Sequence, residues 1–176
     1  MRITSAAAEQ AAVLHTAQLM LAAARTAPKG CGRDLLHGCI ITGAEQGALA
    51  DKMAELGAGE ERPLFTRDAK NIRQAEAVVL LGSASEPLGL QRCGYCGHGS
   101  CAGCAAAGGV CAFVTGDLGI ALGSAVSVAA DHRLDNRIMY TAGYAALQLQ
   151  LLDKSVKIAY CIPLKVSGKN PFFDRH

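Results

Sequence analysis

Apolar residues recur every three or four positions from Val13 through Ala17, Met20 and Ala24, with Leu14 and Leu21 beside them. That spacing lines one face of a helix. Ser5 is a cap for its start, and Pro28, Gly30 and Gly32 stop it, so the pattern predicts a helix running to about Ala27. Leu35 to Thr42 (LLHGCIIT) reads as a short strand. Glu45 to Leu56 reads as a helix with Leu49, Met53 and Leu56 inward, stopped by Gly57 and Gly59. Thr66 caps a predicted short helix from Arg67 to Ala75. The run Ala77 to Leu81 (AVVLL) is apolar throughout, as a strand covered on both faces would be. Asp117 to Ala130 is apolar nearly all round, which predicts a central, buried helix. Asn136 to Leu152 predicts another, with Ile138, Ala142, Ala145 and Leu149 on one face. Val156 to Leu164 contains a last strand, and the tail SGKNPFFDRH is polar apart from two Phe.

Helices and strands are mixed, with helices dominant, which predicts one α+β domain over residues 1–176. Between its halves lies a glycine-rich, cysteine-rich loop, residues 92–111. Composition adds one expectation. Hydrophobic residues are 51% of the chain and charged residues only 18%, against about a quarter charged in an ordinary soluble domain. So much apolar surface on 176 residues predicts a subunit interface, hence a homo-oligomer, with a dimer favoured. The net charge of +2 comes without any block of like charge, which points away from nucleic acid and anionic membranes. Residues 102–130 are apolar enough to suggest a membrane span, but Asp117 would sit mid-span at a cost of about 3 kcal/mol. A buried segment is expected instead. The N-terminus has no apolar run before Glu9, so the expectation is a cytoplasmic protein with reduced thiols.

The chemistry sits in RCGYCGHGSCAGCAAAGGVC, Arg92 to Cys111, which holds five of the eight cysteines. Their spacing is Cys93-x2-Cys96-x4-Cys101-x2-Cys104-x6-Cys111. Thiolates at this density bind soft or borderline metals and iron–sulfur clusters. Gly94, Gly97, Gly99 and Gly103 permit the backbone turns of a tight wrap. Three ligand sets compete. Cys96, Cys101 and Cys104 match the plant-type two-iron spacing and need a distant fourth thiolate, which beyond the loop only Cys31, Cys39 or Cys161 could supply. Cys93, Cys96 and Cys101 closed by Cys111 draw every ligand from one loop and leave Cys104 as the spare or alternative ligand. Cys93, Cys96, Cys101 and Cys104 form two C-x2-C knuckles for zinc, with His98 as a substitute, but their separation is short for a zinc finger. The second set is preferred, as a four-iron four-sulfur site, with a two-iron cluster or zinc as alternatives. CGYCGHGSC resembles the signature of a small four-iron domain found in electron-transfer and corrinoid-linked proteins.

DLGIALGSAVSVAADHRLDNRIMYTAGYAALQL and IPLKVSGKNPFFDR resemble the uncharacterised ferredoxin-domain-containing proteins of bacteria and archaea. More distantly, LAAARTAPKGCGRDLLHGCIIT, through Ala27, Pro28 and Lys29, resembles the flavin-dependent nitroreductases, as does the helix opening at Asp117. That resemblance implies a mixed sheet flanked by helices, an intertwined dimer, and flavin mononucleotide at its interface. Nitroreductases grip the flavin phosphate with an N-terminal R-R-S-x-R motif, where this chain has Arg2, Ile3, Thr4 and Ser5. The phosphate candidates left are Arg25, Lys29, Arg33, Lys169 and Arg175. Elsewhere, Cys31 is expected to be buried in a turn, with a reactive thiol as the alternative. Cys39 and Cys161 are expected in the core. Asp131, Asp135 and Arg137 around His132 suggest a junction of salt bridges. The functional expectation is an iron–sulfur electron-transfer protein, in one version a flavin-linked oxidoreductase. The alternative is a non-catalytic binding or regulatory protein with a structural zinc or cluster.

Overall fold

The computed structural model describes residues 1–59 and 63–173. The first helix, α1 (Ser5–Thr26), is capped by the Thr4 hydroxyl, which accepts from the amide of Ala7 at 3.3 Å. Ser5, the expected cap, lies one residue inside. Strand β1 (Leu36–Ile41) follows, then α2 (Gly43–Leu56) and α3 (Leu64–Gln74), then β2 (Ala77–Ala84). Helix α3 starts earlier than the Thr66 cap predicted, because Pro63 occupies the cap position. Thr66 instead donates to the carbonyl of Gly57, at 3.4 Å. The second half is α4 (Cys101–Ala106), α5 (Ala112–Asp131), β3 (Asp135–Asn136), α6 (Tyr140–Gln148) and β4 (Val156–Lys165).

The sheet order is β1-β2-β4-β3, and all of its pairings are antiparallel. The α+β class holds, with this antiparallel sheet in place of the expected mixed one. The reason is the connection between β1 and β2. Two helices lie between these neighbouring strands, each reversing the chain, so the second strand returns opposite in sense.

Strand β2 organises the core. Every residue from Ala77 to Ala84 is buried. Ala77, Val79 and Leu81 face one side, where they meet α1 and α5 through Val13, Met20, Leu118 and Leu122. Val78 and Leu80 face the other, against Leu49 and Met53 of α2, Ile72 of α3 and Ala142 of α6. The result is a helix–sheet–helix sandwich with two apolar cores separated by one strand.

The predicted helix from Asn136 to Leu152 is the largest correction. Asn136 pairs with Leu164 in β3, and Met139 bridges Cys161. Helix α6 is therefore nine residues, and Ile138 lies outside it and exposed. The helix sits very close to β4 because residue 143 has no side chain. A Cβ there would lie 1.9 Å from the carbonyl oxygen of Ala159.

A buried ionic network fixes the second helical layer. The Asp68 carboxylate accepts from Arg67, from Arg137 at 3.2 Å, and from the Thr141 hydroxyl at 2.7 Å. Arg137 also donates to the carbonyl of the fully buried Phe172, at 2.8 Å. The expected junction around His132 is thus replaced: Arg137 pairs with Asp68, while Asp135 accepts from Ser167.

Helix α5 packs mainly against α1. Among the described residues it alone is long and apolar enough to cross a membrane, yet a third of its most apolar stretch is buried in the chain. Val114, Leu118, Ala121 and Ala125 point inward, while Gly116, Gly119, Ile120 and Gly123 are exposed. The expectation of a wholly buried helix is corrected to one with a bare outer face.

Two outcomes are expected from this packing. Gly143→Ala drives α6 off the sheet and lowers stability by about 2 kcal/mol or more, measured by urea denaturation. Asp68→Asn removes the charge that Arg137 faces in the interior and costs about 3 kcal/mol in the same assay.

Candidate metal centre

The cysteine segment leaves the end of β2 and returns at the start of α5. Its two ends are tied together by one side chain. The amide of Cys111 donates to the Ser85 hydroxyl at 3.2 Å, and that hydroxyl reaches the carbonyl of Gly109 at 3.4 Å. Between these ends the backbone makes a turn, with the amide of Gly97 on the carbonyl of Gly94 at 2.9 Å. Gly97 and Gly99 have φ of 82° and 72°, a region that side chains disfavour.

The segment contains one short helix that the loop expectation lacked. Ser100 caps α4 by accepting from the amide of Gly103 at 3.0 Å. Helical spacing then turns Cys101 and Cys104 toward one side. Gly103 allows the helix to close on the turn, since a Cβ there would stand 2.4 Å from the carbonyl oxygen of His98. Outside the helix, the ring of Tyr95 stacks on Phe113 of α5, with centroids 5.7 Å apart and planes 15° apart. The Cys101 thiol reaches the carbonyl of Leu90 at 3.8 Å.

Cys104 is the most deeply placed thiol of the segment, 1% exposed. Burial pushes its thiol above the ordinary range, as do a hydrogen bond with Cys96 and the charges of Cys96, Cys111 and Cys101. Cys96 is thus the thiol nearest in influence to Cys104, with Cys111 and Cys101 within electrostatic reach. Cys93 is half-buried nearer the start of the segment. All eight cysteines are free thiols. Among the described residues no three His, Cys, Asp or Glu side chains stand at metal-coordinating spacing. Thiolates held near one another in a partly dry segment repel unless a cation joins them, and thiolate is the donor type of soft metals and iron–sulfur clusters.

The flavin-phosphate candidates do not gather in this way. Arg25 pairs with Asp34 at 2.6 Å and donates to the carbonyl of Leu36 at 3.0 Å. Burial works against the Asp34 carboxylate, but Arg25 and the amide of Leu36 outweigh it and hold its pKa below the usual range. Lys29 closes the end of α1 by donating to the carbonyls of Arg25 and Ala27 at 2.6 and 2.7 Å. Arg33 pairs with Glu86 at 2.7 Å. Lys169 lies beyond β4 and has a protein partner of its own. Arg175 lies outside the described residues. Arg25, Lys29 and Arg33 are thus each engaged by groups of the protein itself.

Of the remaining thiols, Cys161 is buried as expected and Cys39 half-buried. Burial raises the pKa of both, with Glu45 adding to the effect at Cys39 and Cys39 at Cys161. Cys31 departs from expectation. It is exposed, at φ 54° between Gly30 and Gly32, because the turn is held from beneath by Asp117, which accepts from the amide of Gly30 at 2.9 Å.

Residues 107–175 match a family described as uncharacterized proteins containing a ferredoxin domain. The matched span takes in Cys111 and starts after Cys104. An uncharacterized protein of Archaeoglobus fulgidus is 40% identical over 167 residues, covering 90% of this chain and 89% of its own. The fold is that of the nitroreductases. A nitroreductase with bound FMN from Desulfitobacterium hafniense superposes with a TM-score of 0.61 at 14% identity, over 88% of this chain and 78% of that one. An FMN-dependent nitroreductase from Mycobacterium smegmatis, in complex with NADPH, gives 0.56 at 13% identity with the same coverage.

Exposure and thiol pKa together set the order of reactivity. Iodoacetamide at neutral pH is expected to modify Cys31 in the folded protein and Cys161 only after unfolding, read by mass spectrometry of the peptides.

Proposed function

The chain belongs to the family of uncharacterised proteins containing a ferredoxin domain, and from that premise we propose that it is an iron–sulfur redox protein carrying electrons on a nitroreductase-type scaffold. The observation that supports this best is the gathering of five cysteines in one segment, with Cys104 buried and Cys96, Cys111 and Cys101 near enough to act on its thiol. A cluster held there supplies a site that gains and loses one electron. The chain's own part is to position the thiolates, limit water and hold the segment shut. Ser85 does the last by joining its two ends.

The same observation bears on which thiol is the fourth ligand. Cys96-x4-Cys101-x2-Cys104 has the plant-type two-iron spacing, and Cys111 is the fourth thiol beside it. The preferred set of the sequence, Cys93, Cys96, Cys101 and Cys111 with a four-iron cluster, rests on the CGYCGHGSC signature. The burial of Cys104 favours Cys104 over Cys93.

The scaffold's flavin is not part of this reading, because Arg25, Lys29 and Arg33 are already engaged by the protein. The bare face of α5 and the exposed alanines at the start of α1 support a second copy of the chain packed there. Eight free cysteines suit a reducing compartment such as the cytoplasm.

Anaerobic reconstitution with iron and sulfide, followed by visible and paramagnetic resonance spectra and metal analysis, tests the proposal. An iron–sulfur spectrum is expected. A colourless protein that binds only zinc overturns the redox reading in favour of a structural site. Cys104→Ser is expected to lose the cluster and Cys93→Ser to keep it. The reverse result assigns the fourth ligand to Cys93.

A further inference from the structure

The segment that holds the thiols also walls a cavity of about 480 Å³. One side of the cavity is Ser85, Glu86 and Pro87, at the end of β2. The other is Ala105 and Gly108 to Val110. Lys157, at the start of β4, completes it. The wall beneath the cavity is thin. A Cβ on Gly109 would meet the His98 ring at 2.5 Å and the Cys104 sulfur at 3.3 Å, so Gly109 lies between the cavity and both of these side chains. Gly108 beside it, at φ 61°, likewise carries no side chain into the space.

The polar groups around the cavity are unequal. Glu86 is neutralised by Arg33 and Ser85 is occupied by the backbone. Lys157 is exposed and has no hydrogen-bond or ion-pair partner among the described residues. It also lines a second cavity, of about 210 Å³, whose other walls include the rings of Tyr140, Tyr144 and Tyr160. Tyr140 and Tyr144 are half exposed and are propped edge-on by Phe65, with centroids 6.2 and 6.0 Å away. A mostly apolar hollow beside a lysine that is unpaired among the described residues suits a ring bearing an acid group.

We propose that this cavity is the binding site for a small planar anion, its ring lying over Gly108 to Val110 and its acid group on Lys157. The tyrosine-lined cavity beyond Lys157 receives any extension of the ligand. The inference names the ligand class of the redox site proposed above and rests on that reading for its chemical meaning.

The test uses three isosteric probes on the metal-loaded protein: 2-naphthoate, the neutral 2-naphthalenemethanol and the cationic 2-naphthylmethylammonium. Binding is measured by calorimetry and located by amide chemical-shift changes. The anion is expected to bind with shifts at Gly108, Gly109 and Lys157, and the cation least well. Lys157→Gln weakens the anion by roughly tenfold, as loss of a charge-assisted hydrogen bond would, and leaves the neutral probe unchanged. Val110→Phe, at an exposed position, fills the larger cavity and abolishes binding of both. Equal binding of all three probes, unchanged anion affinity in Lys157→Gln, or shifts confined elsewhere would overturn the proposal. An iron–sulfur spectrum without anion binding removes this site alone. Anion binding to a protein that takes only zinc removes the redox reading alone.

Discussion

A strand buried on both faces has to be covered twice, and most of this fold follows from that constraint on β2. Its eight residues are almost entirely without polar side chains, and none reaches water. Burying the larger of them yields roughly 2 kcal/mol each only if helices stand on both sides. Helices α1 and α5 cover one face, and α2, α3 and α6 the other. The chain therefore spends two helices between β1 and β2, which makes those strands antiparallel. The layer above β2 continues past its end, so the segment leaving Ala84 emerges at the rim of the sheet beside the start of α5. The thiols lie at that rim.

The second helical layer needs more than apolar contact, because it also holds the end of the described chain. Asp68 does this from α3 by accepting from Arg137 and from Thr141 of α6, while Arg137 in turn donates to the Phe172 carbonyl. An ionic group in such a place adds little net stability by itself. Its effect is to select one arrangement, since any other leaves Arg137 facing the interior without its partner. The close seating of α6 on β4, permitted by Gly143, depends on that same arrangement.

Legibility in the sequence followed the kind of signal involved. The long apolar segments were readable because burial imposes period, and period survives in sequence. α1, α2, β2 and β4 appear near where the pattern puts them. The start of α6 was not readable, since Ile138 fits a helical face as well as it fits the exposed link that it occupies. Likewise, the bare face of α5 is invisible in sequence because glycine and isoleucine count as apolar whether covered or not. At the thiols, density announced chemistry, but the preferred ligand set left Cys104 as the alternative. Its burial comes from the short helix α4, whose cap at Ser100 was present in the sequence and was hidden by the surrounding glycines. Ser85 was legible only as a loop residue, and its part in joining Gly109 to Cys111 is a tertiary fact. The same holds for Lys157, whose solitude depends on what the fold places around it.

The bonds of Ser85 have a consequence for how such a molecule arises. They bring the two ends of the cysteine segment within one side chain of each other, so the excursion between them begins and finishes at nearly the same point. A segment with adjoined ends makes no demand on the distance between the elements it connects, and the sandwich closes whether the excursion is long, short or replaced. The cysteine segment is in that sense a cartridge, mounted on a socket made by the end of one strand and the start of one helix. Exchange of cartridges at a fixed socket is a route by which one scaffold acquires or loses a metal without redesign of its core.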